Sequence, residues 1–132
     1  MKYLKDYTQK PINNLLKEQG AFFAFSDKQF KESRVKGVEY VSLYSGLIAP
    51  KKNAKTIHDG MQEITKQGIK QDMKENTIKK IVFRECQNYE LQFSYDMFNE
   101  LKEILADYPI KESELKKYLK QFYDYCIKND MF

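Results

Sequence analysis

From Pro50 to the end of the chain apolar residues recur every three to five positions, and before Pro50 they do so only in short stretches. That change of period constrains the fold most, because a helix repeats every 3.6 residues and a strand every two. Ile57, Met61, Ile64, Gly68 and Met73 predict a long amphipathic helix from roughly Asn53 to Glu75. Ile78, Ile81, Val82, Cys86 and Tyr89 predict a second, starting at Asn76 or Thr77, and Met97, Leu101, Ile104 and Leu105 a third, ending before Tyr108-Pro109. Ile110 and Leu115 stand where a hydrophobic staple would put them, opening a fourth helix whose stripe of Leu115, Tyr118, Leu119, Phe122 and Cys126 runs to about Lys128. Gly60 and Gly68 each weaken the long helix by about 1 kcal/mol relative to alanine, so close approach of another segment, or a bend, is expected there.

The first fifty residues read differently. Pro11 near a helix start and Gly20 past its end predict a short helix with Ile12, Leu15 and Leu16 on one side. The brief aromatic run Ala21 to Phe25, between Gly20 and Ser26, suits a strand buried on both faces, with Phe22, Phe23 and Phe25 in the core. Ser26 and Gln29 form a capping-box pair for a helix through about Lys36, closed by Gly37. "VEYVSLY" and "GLIAP" flank a Ser45-Gly46 turn. The expectation is an α+β fold: one helix-dominated domain over residues 1–132, with a two- or three-stranded antiparallel sheet near the N-terminus and about four C-terminal helices. Residues 1–8 and 128–132 are expected to fray.

Charge is uneven. Met1 to Thr56 holds eleven basic residues against five acidic, and Ile57 to Phe132 twelve against fourteen. The basic half favours an acidic partner such as nucleic acid, and the balance argues against a mimic of DNA. The longest uninterrupted apolar run is the five residues of "AFFAF", from which neither a signal peptide nor a membrane span can be made, so a cytoplasmic protein without a membrane partner is expected. Reducing conditions there keep Cys86 and Cys126 as free thiols on apolar helix faces.

Glu85 falls inside the apolar arc of its helix, and a carboxylate there needs a donor. Lysine outnumbers arginine twenty-one to two, so Arg34 and Arg84 are candidates for bidentate pairing that lysine does poorly. On a helical wheel Arg84 projects away from the arc, beside Asn88, and Arg34 is the expected partner of Glu85 across the fold. Two readings stand: Glu85 is a satisfied structural carboxylate, or Arg84, Glu85, Asn88 and Glu90 form a binding surface.

The blocks "GAFFAFS" (Gly20 to Ser26), Gly46, Pro50, Lys51 and Asn53 in "GLIAPKKN", and Arg84, Glu85, Asn88 and Glu90 in "RECQNYE" resemble a family of short uncharacterised proteins encoded by bacteriophages and mobile elements. The likeness spans about Leu15 to Leu115. Cys86 stands where that family usually has leucine and Tyr89 where it has histidine, which removes a group titrating near neutrality from the latter position. The resemblance implies a setting, a mobile element inside a bacterium, and no reaction.

A lone His58 with two distant cysteines supplies no metal site, and Asp59 with Glu63 reads as a solvated acidic edge. Nucleophile elbows, phosphate loops and dinucleotide fingerprints do not occur. No cofactor and no enzymatic activity are expected, and His58 reads as a packed or solvent-facing residue. For base stacking, Tyr118, Tyr123 and Tyr125 among Lys116, Lys117 and Lys120 are the better-placed rings. The functional expectation is a binding protein that occludes a host protein complex, such as a CRISPR nuclease. The alternative is direct nucleic-acid binding through Lys51, Lys52 and Lys55.

Overall fold

The computed structural model describes residues 1–132. Its contacts divide into two compact units, Met1–Gly68 and Ile69–Phe132, with the division falling inside one helix. The architecture is α+β and helix-dominated: a three-stranded antiparallel sheet near the N-terminus and six helices, the last four of which are the C-terminal helices that the periodicity predicts.

In the N-terminal unit, helix α1 spans Leu4–Glu18. It begins seven residues before the predicted start, and Pro11 lies inside it rather than at its opening. A proline there removes one backbone donor. The start is fixed instead by Asp6, whose carboxylate accepts the Tyr3 N–H at 2.7 Å. Strand β1 is only Phe22–Phe23; β2 is Tyr40–Tyr44 and β3 is Leu47–Pro50, in the order β1-β3-β2. The Ser45-Gly46 turn joins β2 to β3 as expected, and a register shift between Ser42 and Tyr44 kinks the hairpin.

Register assigns the faces. Leu47 and Ala49 join Leu16 of α1 and Ile57 in a small buried core. Phe22 and Ile48 are cross-strand partners and lie on the opposite face, where Phe22 meets Tyr40 and Phe30. Phe30 comes from helix α2, Asp27–Ser33, whose N-cap Ser26 accepts the Gln29 N–H at 3.2 Å while Gln29 Oε1 accepts the Phe25 N–H at 2.7 Å. The helix stops at Ser33, short of the predicted Lys36, because Arg34 turns to extended backbone and the Val35 N–H donates to the Tyr40 hydroxyl at 2.9 Å.

A 3-10 turn at Lys51–Asn53 leads into α3, Ala54–Glu75, which is unbroken through both glycines. Those glycines admit α1: a Cβ at Gly60 would lie 2.7 Å from Leu15, and one at Gly68 2.5 Å from Thr8. Close packing therefore accounts for both residues.

In the C-terminal unit, α4 spans Ile78–Asn88 with Thr77 as N-cap, α5 spans Met97–Ile104, and α6 spans Glu112–Lys128. Ile81, Val82, Cys86, Leu101, Phe122 and Cys126 are fully buried, and Phe83 packs edge-on against Phe122. Tyr89, predicted on the buried arc, is 56% exposed because the helix ends at Asn88 and Tyr89 is its C-cap. The last residues, expected as a frayed tail, carry contacts: the Met131 N–H donates to the Cys126 carbonyl, Gln92 Nε2 donates to the Met131 carbonyl, and Phe132 meets Phe93 and Tyr123. No helix is long and apolar enough to cross a membrane.

Candidate functional site

Four polar side chains are buried together in the C-terminal unit. Asp72, on the last turns of α3, has no exposed surface; Arg84 and Glu85 of α4 and Tyr108, beyond α5, are likewise buried. The Arg84 fork grips Asp72 with two bonds, Nη1 to Oδ1 and Nη2 to Oδ2, both at 2.9 Å. Its Nε donates to Glu85 Oε1 at 2.7 Å. The Tyr108 hydroxyl donates to Asp72 Oδ2 in a short hydrogen bond, and Asn76 Nδ2 donates to Oδ1 at 2.9 Å. Such charge-assisted, bidentate contacts are the ones able to offset the desolvation of a buried ion pair.

The electrostatics follow from that geometry. Burial opposes ionisation of Asp72, yet hydrogen bonds from Arg84, Tyr108 and Asn76 outweigh it and hold the carboxyl below its ordinary range. Burial likewise opposes the charge on Arg84, and its bonds to Asp72, Glu85 and Tyr108 raise its pKa regardless. Burial and then the Asp72 bond push the Tyr108 hydroxyl up. All three are moved away from neutrality, so each holds one charge state across the physiological range. The neighbouring Cys86 thiol is pushed up to about 12, first by burial and then by Cys126 and Glu85. Both cysteines are free and buried, as the sequence predicts.

This arrangement corrects two sequence expectations. Arg84 does not project into solvent beside Asn88; it turns inward, because Asp72 supplies a buried carboxylate that a wheel of α4 alone does not contain. Arg34 is not the partner of Glu85: it is exposed in the N-terminal unit, and Arg84 takes the role. The predicted surface of Arg84, Glu85, Asn88 and Glu90 is thus divided, with the first two buried and the last two exposed. Glu90 follows the helix end with φ +50°, a left-handed conformation in which a glycine is more at ease. Sequence reasoning missed Asp72. Its signal was a carboxylate four residues after Gly68, on the stripe that Ile57, Met61, Ile64 and Gly68 define.

In the N-terminal unit the motif blocks also prove to be supports. Asn53 Nδ2 donates to the Gln19 carbonyl at 3.0 Å, closing the end of α1, and a Cβ on Gly20 would touch Pro50. Lys51 and Lys52 are exposed and line an open groove of about 560 Å³ with Gly37, Val38 and Glu39; Lys55 is exposed one turn on. Lys51 and Glu39 approach at 3.9 Å, a loose exposed pair worth little. Of the predicted stacking tyrosines, Tyr118 carries Lys117 over its ring, Tyr125 leans on Phe83 and Tyr123 on Phe132.

The rings assigned to the core are the ones on display. Phe23 is 56% and Phe25 72% exposed, and their rings lie nearly parallel, 11° apart in tilt with centroids 6.4 Å apart. Phe25 lies over Gly46, where a Cβ would come within 2.1 Å of its ring. Across the same turn the exposed Tyr44 stacks on His58, and its hydroxyl sits 2.8 Å from His58 Nδ1. Phe22, half-buried, packs on the sheet face opposite the core of Leu47 and Ala49, against Phe30 and Tyr40. Phe23 is the register partner of buried Leu47, yet it stays exposed because it ends a two-residue strand at the sheet edge.

Comparison with known proteins adds one finding. The chain belongs to a family described as a family of unknown function, DUF7659, whose model matches residues 4–128. No curated protein and no solved structure matches.

Proposed function

We propose that this member of the DUF7659 family is a non-enzymatic binding protein whose working surface is the aromatic face of the N-terminal unit. The observation that carries the reading is the pair of exposed, stacked rings Phe23 and Phe25, the latter seated on Gly46, where a larger residue would meet its ring. Rings fixed in solvent are costly to hydrate and supply large contact area at little conformational cost, as anchors of binding surfaces do. The buried polar cluster supports the same reading, since its ionisable groups are spent on one another.

In this proposal the protein acts in a bacteriophage or mobile-element setting, in the bacterial cytoplasm, by occluding a host complex such as a nucleic-acid-guided nuclease. A second reading, direct nucleic-acid binding, is favoured by charge: residues 1–68 hold twelve Lys and Arg against seven Asp and Glu, whereas residues 69–132 hold eleven against twelve. The two readings meet in a guided nuclease, which exposes a displaced single strand.

Affinity capture with the tagged chain from bacterial lysate, with and without nuclease, tests the reading when run beside the Phe23→Ala/Phe25→Ala double variant. Retention of one partner by the wild type and its loss in the variant is expected. A partner retained equally by both places the working surface elsewhere.

A further inference from the structure

The surface just described is more specific than an apolar patch. Its rings come as two nearly parallel pairs, Phe23 with Phe25 and Tyr44 with His58, tilted by 11° and 26°. Contacts join the pairs: Phe25 rests on Gly46, and Gly46 closes the turn that begins at Tyr44. His58 lies one helical turn beyond Lys55 on α3, so the two side chains are neighbours on one face. Lys51 and Lys52 stand at the other end of the β2–β3 hairpin from the Gly46 turn, where the Lys51 N–H donates to the Glu39 carbonyl.

Exposed rings with Lys55 beside them, and Lys51 and Lys52 a turn earlier in the chain, discriminate between ligand classes. The centre of a protein–protein interface is depleted in charged residues, and in lysine in particular. A site for single-stranded nucleic acid combines the two features found here: rings that accept the flat face of any base, and cations that track the phosphates. Phe23, at the end of β1, and Phe25, just beyond it, have ring centroids 6.4 Å apart, near twice the rise of about 3.4 Å between stacked bases. The β1 edge beside Phe23 is two residues long and offers little to a peptide by strand pairing; the five-residue edge of β2 lies on the other side of the sheet.

Resting on the reading that this face is the working surface, we propose that it binds single-stranded nucleic acid. Phe23, Phe25 and Tyr44 stack bases, His58 orients the Tyr44 ring, and Lys51, Lys52 and Lys55 hold the phosphate backbone. Sequence preference is weak, since stacking reads no base edge.

The test is fluorescence anisotropy of the intact protein against labelled oligothymidine of about 15 nucleotides, the matching RNA, and a duplex. Binding to the single strands is expected to weaken at least tenfold between about 50 and 200 mM salt. Phe25→Ala should weaken it about tenfold, and Phe25→Leu, which keeps the apolar bulk and removes the π face, should weaken it comparably. Lys51→Glu/Lys52→Glu/Lys55→Glu should weaken it further and flatten the salt dependence. Absence of single-strand binding at low salt, equal affinity for duplex, or full affinity in Phe25→Leu would each overturn the inference. The two readings fail separately. No nucleic-acid binding, together with a nuclease-resistant partner lost in the Phe23→Ala/Phe25→Ala variant, removes the ligand and keeps the surface; nucleic-acid binding indifferent to the phenylalanines removes both.

Discussion

The two units of this chain treat their most distinctive side chains in opposite ways. The C-terminal unit takes an arginine, two carboxylates and a tyrosine and hides them against one another, whereas the N-terminal unit takes phenylalanines from its most apolar stretch and leaves them in solvent. The difference teaches that residue type alone does not mark a working surface. A buried charge is tolerable when every partner is in place, and an exposed ring is informative when its neighbours hold it there.

The largest expected effect follows from breaking the hidden cluster. Arg84→Ala leaves Asp72 buried and unpaired, and should cost about 3–5 kcal/mol in chemical denaturation. Asp72→Ala should cost a similar amount by stranding Arg84. Arg84→Lys keeps the charge without the fork and should fall between wild type and alanine. Glu85→Ala, which removes one charge-assisted bond at the edge of the cluster, should cost about 1–3 kcal/mol. A loss below about 1 kcal/mol in Arg84→Ala would abolish the contrast between the units.

That cluster was half legible. The scarcity of arginine pointed to Arg34 and Arg84 as bidentate groups, and the apolar arc of α4 pointed to Glu85 as a buried carboxylate in need of a donor; the latter holds, and of the two arginines Arg84 is the one that forks a carboxylate. The wheel then misplaced Arg84, because it took the apolar arc for the whole buried face. Asp72 lies 12 residues from Arg84 and Tyr108 another 24 along the chain, and no local pattern links the three. Helix spacing after Pro50 and a helix start at Asn76 or Thr77 were local and were read correctly; a close approach at Gly60 and Gly68 was legible as one of two alternatives, but not that α1 makes it. The exposure of Phe23 and Phe25 was not, because a short apolar run looks the same whether a strand is central or at an edge.

Acidity should reveal the same cluster through its linkage to folding. Asp72 is held below its ordinary range in the fold, so the unfolded chain binds the proton more readily. Its contribution is therefore complete above about pH 4–5 and is lost as pH falls through and below the ordinary carboxylate range. Tyr108 has the opposite sign: its raised folded value favours the neutral hydroxyl, and that contribution is lost as pH rises past about 10. Thermal melts across pH should show a plateau between these limits. Asp72→Asn should flatten the acid limb, and an unchanged limb would assign it to other carboxylates.

A smaller effect is expected where the N-terminal unit holds its ring in place. Gly46 has φ +77°, and a methyl group there meets the Phe25 ring. Gly46→Ala should cost about 1–2 kcal/mol from the backbone alone. Because Phe25 is exposed, it can swing aside, so Phe25→Ala should restore part of the loss in the double variant. Strict additivity of the two substitutions in denaturation would mean that ring and glycine are not coupled, and the rings would then be free rather than held.

The smallest effect concerns backbone strain, and it sharpens the contrast from the other side. In the N-terminal unit the positions of positive φ are glycines, whereas in the C-terminal unit they are Glu90 and Asp130. Glu90 stands where a helix commonly ends on glycine. Glu90→Gly relieves about 1 kcal/mol of left-handed strain but adds freedom to the unfolded chain, which cancels part of the gain. A net stabilisation of a few tenths of a kcal/mol is expected. If Glu90→Gly is instead destabilising, the freedom added to the unfolded chain outweighs the strain relieved. If it stabilises as expected, the glutamate is held at an exposed helix end against its own backbone preference. The same variant should then be carried through the capture experiment, where a lost partner would make Glu90 the C-terminal unit's contribution to binding.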